Sequence, residues 1–89
     1  MAQAGVVRAR HRIRVLSAEG RPADDAVVTV VRSSVPFPEI ALVADESGTV
    51  ELHLPPGRFT FRAQGRGGAQ GQVEVESPGA EESVVRLGR

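Results

Sequence analysis

The chain has 89 residues, eleven basic and eleven acidic side chains, and no Cys, Trp or Tyr. That length gives one domain spanning residues 1–89, with a modest core and no cleft between domains; residues 1–5 are expected to form a disordered tail. Without Cys there is no disulfide, no thiolate metal site and no thiol nucleophile; without Lys, since every basic residue is Arg, there is no Schiff base and no Lys isopeptide crosslink.

Val is the dominant hydrophobic residue, and it recurs at strand spacing between turn signals. The first predicted strand runs from Val6 to Ser17. Val7, Ala9, His11, Ile13 and Val15 fall on one face, and Arg8, Arg10, Arg12 and Arg14 on the other. Gly20 and Pro22 end it. Ala26 to Arg32 is nearly continuous in Val and reads as a strand covered on much of both faces. Ser33 to Pro38 is a loop, because Pro36 and Pro38 cannot sit in a central ladder. Glu39 to Ala44 is the third strand, and Asp45-Glu46-Ser47-Gly48 is a hairpin turn into the fourth, Thr49 to Leu54. Pro55-Pro56-Gly57 turns the chain into a fifth strand, Arg58 to Ala63, with Phe59 and Phe61 inward. A Gly-rich loop, Gly65 to Gly71, leads to Gln72–Glu76. Pro78-Gly79 then turns the chain into Ser83–Leu87. The expected core is Val28, Val30, Leu52, Phe59, Phe61 and Val73.

The residues that carry chemistry are few. His11 and His53 are the only imidazoles, which makes a zinc site impossible without carboxylate help. His11 reads as a structural histidine on the apolar face of the first strand. Asp24, Asp25, Asp45 and Glu46 lie in two loops whose spacing matches no calcium loop, and Asp45 reads as a turn residue bonded to its own backbone. The Gly65–Gly71 stretch lacks the Gly-Lys-Ser/Thr ending of a phosphate loop. No cofactor or metal is implied. Residues Met1 to Arg14 carry four Arg and no long apolar run, so neither a signal peptide nor a membrane span is read there, and the expected location is cytoplasmic.

Three stretches taken together resemble the carboxypeptidase regulatory-like family, within the transthyretin-like and CnaB-like β-sandwiches. Val15-Leu16-Ser17-Ala18-Glu19-Gly20-Arg21-Pro22-Ala23 with Ala26-Val27-Val28 is similar to its opening. Ala44-Asp45-Glu46-Ser47-Gly48-Thr49-Val50 is similar to its Asp–Gly hairpin. Leu54-Pro55-Pro56-Gly57-Arg58-Phe59-Thr60-Phe61 is similar to its Leu-Pro-x-Gly step. Val73-Glu74-Val75 and Val85-Arg86-Leu87 fit its two closing strands, so the resemblance covers Ile13 to Leu87. It implies an all-β fold: a small Greek-key sandwich of about seven mostly antiparallel strands, transthyretin-like (prealbumin-like). It also implies a role as an accessory or interaction module; the assembly such a module would serve is expected to be bacterial. The transthyretin-related hydrolase of 5-hydroxyisourate shares this fold, but Arg14, Thr49 and the Val85-Arg86-Leu87-Gly88-Arg89 end stand where that family has its catalytic His, Arg and Tyr-Arg-Gly-Ser residues. No enzymatic activity is therefore expected.

The expected function is that of a non-catalytic protein-interaction or structural subunit of a larger assembly. The competing reading is a small ligand-binding module for a glucan or an anionic molecule. The lack of Trp and Tyr weakens the glucan reading. The partner is expected to be a protein, with self-association through edge strands also open; no membrane is implied, and zero net charge argues against nucleic acid. Two candidate contact sites stand out. One is the ladder Arg8, Arg10, Arg12 and Arg14, whose charges are expected to be offset by Glu74, Glu76, Glu51 or Glu19 or else to meet an acidic partner. The other is Pro36-Phe37-Pro38, where Phe37 either caps the core or stands out as an apolar anchor.

Overall fold

The computed structural model describes residues 8–88. The expected tail and the Val6–Val7 start of the first predicted strand lie outside the described residues. Seven strands form: β1 (Ala9–Leu16), β2 (Val27–Ser33), β3 (Ala41–Val43), β4 (Thr49–Leu54), β5 (Gly57–Gln64), β6 (Gln70–Ser77) and β7 (Glu82–Arg86). They make two sheets, with orders β4-β1-β7 and β3-β2-β5-β6. The architecture is an all-β sandwich. Every ladder is antiparallel except β1 with β7.

The period-two pattern decides which side chains meet between the sheets. His11, Ile13 and Val15 of β1 point inward, with Val50, Leu52 and Leu54 of β4 and Val85 of β7. From the other sheet come Val28, Phe59, Phe61, Ala63 and Val75. Phe59 and Phe61 stack with centroids 6.0 Å apart. Burying a side chain of this size stabilises the fold by about 1.5–3 kcal/mol, so the two Phe rings and Ile13 are the largest contributors.

Several expectations need correction. The core is wider than predicted, because all of the inward face of β1 belongs to it; Val30 and Val73 are only half-buried. β2 is not covered on both faces. Its register slips between Val30 and Arg32, and the extra residue, Val31, is exposed. β3 is three residues long rather than six, starting only after the Pro36-Phe37-Pro38 segment. β6 begins at Gln70, so the end of the Gly-rich loop is strand, preceded by a 3₁₀ turn over Arg66–Gly68. The Asp45–Gly48 turn forms as expected, with the Gly48 N–H donating to the Asp45 carbonyl at 2.8 Å. Its flanking strands, however, enter different sheets, so it is a corner of the sandwich and not a hairpin of one sheet. Gly48 has φ +77°, and a Cβ there would sit 2.6 Å from the Val15 carbonyl oxygen. Only Gly fits.

Candidate functional site

The outer face of β4-β1-β7 carries the arginine ladder. The alternation that buries Ile13 and Val15 forces Arg8, Arg10, Arg12 and Arg14 to solvent, and all four are exposed. β4 adds Thr49, Glu51 and His53 to the same face; β7 adds Glu82, Val84 and Arg86. Five Arg thus share the face with two Glu. Arg10 Nη1 lies 3.6 Å from Glu51 Oε2, and Arg14 Nε lies 3.7 Å from Glu82 Oε2. Arg8 Nη1 donates to the His53 carbonyl at 3.0 Å.

By register, Arg12 faces Glu51 on one side and Glu82 on the other. Both carboxylates nevertheless go to its neighbours along diagonals, as the twist of the sheet allows. Among the described residues Arg12 has no ion pair within 4.0 Å. The two pairs that do form are long and exposed, and such pairs are worth about 0–1 kcal/mol each. Of the carboxylates expected to offset the ladder, Glu51 does so. Glu82 was not anticipated, because only the β1–β7 parallel pairing brings it across. Glu74 and Glu76 lie on β6 in the other sheet, where Glu76 faces Arg58 at 3.7 Å.

Phe37 packs edge-on against Phe59, centroids 5.2 Å apart and planes 69° apart. It is half-buried, joined by Val35 and Ile40 against the core, while Pro36 and Pro38 are exposed. That is the geometry of a cap over one end of the sandwich.

His11 is buried, with Nδ1 2.9 Å from the Ala80 carbonyl oxygen and Nε2 2.8 Å from Ser83 Oγ. A carbonyl only accepts, so Nδ1 carries the hydrogen, and in the neutral ring the Ser83 hydroxyl donates to Nε2. A Ser hydroxyl on a His nitrogen is also half of a nucleophile–base pair. Here a cavity of about 360 Å³ beside the ring is lined by His11, Glu76, Pro78 and Glu81 but not by Ser83. The hydroxyl does not open into it, and the arrangement fastens the β6–β7 link to β1. Sequence reading saw the His and missed the Ser, since 72 residues separate them.

Asp45 Oδ1 accepts from Ser47 Oγ at 2.7 Å, Ser47 N–H at 2.9 Å and Thr49 N–H at 3.1 Å. The Ser47 hydroxyl, then the Thr49 amide, hold its pKa below the ordinary 3.8. Arg66 Nη2 meets Asp25 Oδ2 at 3.2 Å and ties two loops together. Among the described residues no group of three or more His, Asp or Glu side chains is placed to hold a metal ion, and no helix is long and apolar enough to cross a membrane. No protein-family model matches the chain, and a search of curated proteins returns no match.

Proposed function

We propose that this domain is a non-catalytic interaction module that docks an acidic protein surface on the outer face of β4-β1-β7. The observation that carries the reading is the charge imbalance of that face. Arg8, Arg10, Arg12, Arg14 and Arg86 are met by Glu51 and Glu82 alone, and Arg12 is left without an ion pair among the described residues. Like charges about 6.5–7 Å apart along a strand repel, and a partner's carboxylates would offset that repulsion. The strand fixes where each Arg stem starts, and the planar guanidinium fork loses less freedom per hydrogen bond formed than a Lys ammonium would.

The chain crosses between sheets after β1, β3, β4 and β6, which supports a Greek-key, transthyretin-like topology of the carboxypeptidase regulatory-like kind. An anionic small molecule is the second reading, since the same Arg face would hold it.

Reversing two charges tests the proposal. Arg10→Glu with Arg12→Glu changes only exposed side chains, so the far-UV circular dichroism should stay that of the parent, while the melting temperature should fall by a few degrees because position 12 faces Glu51 and Glu82 across the two ladders. Capture of protein partners from the native host should fall by roughly tenfold or more, the scale of losing two charge pairs at an interface. If every captured partner survives the double reversal, the ladder has only an internal role.

A further inference from the structure

Among the described residues the sandwich has four edge strands: β4 and β7 in one sheet, β3 and β6 in the other. An edge leaves a row of backbone donors and acceptors unpaired, and proteins guard such rows with charged side chains. Three of the edges are guarded. β4 carries Glu51, its His53 carbonyl is taken by Arg8, and the Thr49 amide and carbonyl are taken by the Asp45 turn. β7 carries Glu82 and Arg86. β6 carries Glu74 and Glu76, and its first residue is tied to Gly88. β3 is Ala41-Leu42-Val43, with no charge and no Pro.

The ladder fixes which groups of β3 are free. Ala44 N–H donates to the Ala26 carbonyl at 2.8 Å, and the antiparallel register then pairs Leu42 with Val28 through backbone bonds. By alternation, the N–H and C=O of Ala41 and Val43 point away from β2. Their side chains are exposed too: Val43 is 64% exposed, the highest of the large hydrophobic residues among those described, and it lies beside half-buried Val27 on the outer face. Acidic residues bracket this uncharged window, with Glu39 before it and Asp45 and Glu46 after it, all exposed.

From this arrangement we infer that β3 accepts an extended segment of a partner protein, apolar at its centre and basic at both ends, as an added strand. The four outward backbone groups supply hydrogen bonds, Val43 and Val27 supply an apolar floor, and the acidic brackets select the flanks. A second copy of this chain fits worse. Pairing Ala41 with Val43 of a copy sets Glu39 against Asp45 of that copy at both ends, and like charges directly opposed destabilise a sheet. The surface lies on the other sheet from the arginine face and takes the opposite charge, so the two readings stand or fall separately.

A blocked peptide, Arg-Arg-Val-Ala-Val-Ala-Arg-Arg, and its counterpart with Glu at the four Arg positions, are the probes. The basic peptide should bind in fluorescence anisotropy, with amide shifts centred on Ala41–Val43; the acidic one should shift those amides only at roughly tenfold higher concentration or more, and any binding it shows at the arginine face should be lost in Arg10→Glu with Arg12→Glu. Val43→Pro removes an N–H that faces solvent. It should leave the melting temperature within a few degrees and weaken binding by about tenfold. Val43→Arg, which keeps every backbone group and adds a charge, should do the same if the Pro variant unfolds. Arg10→Glu with Arg12→Glu should not weaken peptide binding. Equal binding of the two peptides at Ala41–Val43, or binding there unchanged by both Val43 variants, overturns the inference. Dimerisation abolished by Val43→Arg with no peptide binding overturns it in favour of a second copy.

Discussion

Single side chains in this domain satisfy backbone donors and acceptors beside them. Asp45 is the clearest case. One carboxylate oxygen serves three donors of the turn it opens, and those donors favour its charged form. The consequence is a pH dependence whose sign is fixed. A folded pKa below the unfolded one means that ionised Asp45 stabilises the fold above the unfolded value, about 4. That contribution is lost as the pH falls through the lower, folded value. Asp45→Ala should therefore melt at a lower temperature than the parent near neutrality. The gap should narrow as the pH is taken down into the acid range. A gap that is constant from neutrality to the most acid pH at which the parent folds would show that the charge of Asp45 is irrelevant to the turn. The residue type and its place before Ser-Gly were readable in the sequence, as an Asx turn. The bonds to the Ser47 hydroxyl and the Thr49 amide were not, because they depend on how tightly Gly48 closes the corner.

At the scale of elements, strands with strict alternation were legible and irregular ones were not. β1, β4 and β5 each show one polar and one apolar face, and each was found within a few residues of its ends. β2 and β3 misled for a physical reason. A continuous Val run has no period to read, so neither the bulge at Val31 nor the exposed face of β2 was visible. β3 was overextended because the apolar residues from Ile40 onward could have joined a ladder, whereas Ile40, like Phe37, packs half-buried against the core. The Val35–Ile40 segment is thus a cap, and one substitution tests it. Phe37→Ala removes the edge-on contact with Phe59 and should lower the melting temperature by several degrees, since about 1 kcal/mol moves a domain of this size by roughly 4–8 °C. An unchanged melting temperature with a large loss of partner binding would instead make Phe37 an interface anchor.

For the whole molecule, the decisive pairing was the one sequence could not supply. The parallel contact of β1 with β7 joins residues near the two ends of the described chain, and it brings Glu82 to Arg14 and Ser83 to His11. The ladder of Arg residues was legible as a face; its incomplete neutralisation became visible only once β4 and β7 were placed on either side. In the other sheet, one ring joins two parts of the fold. Phe59 touches Phe61 within the sheet and Phe37 from the cap, so it links the cap to the sandwich interior. Phe59→Ala and Phe61→Ala should each cost about 3–5 kcal/mol, a large part of the stability of a small domain. The two differ in what they do to the cap. In a Phe59→Ala background, Phe37 has lost its aromatic neighbour, and the further cost of Phe37→Ala should shrink by about 0.5–1.5 kcal/mol, the usual worth of an edge-on aromatic pair. In a Phe61→Ala background that cost should be unchanged. Urea unfolding of the single and double variants measures both couplings. Equal coupling of Phe37 to the two rings would mean that the cap rests on the core as a whole and not on Phe59.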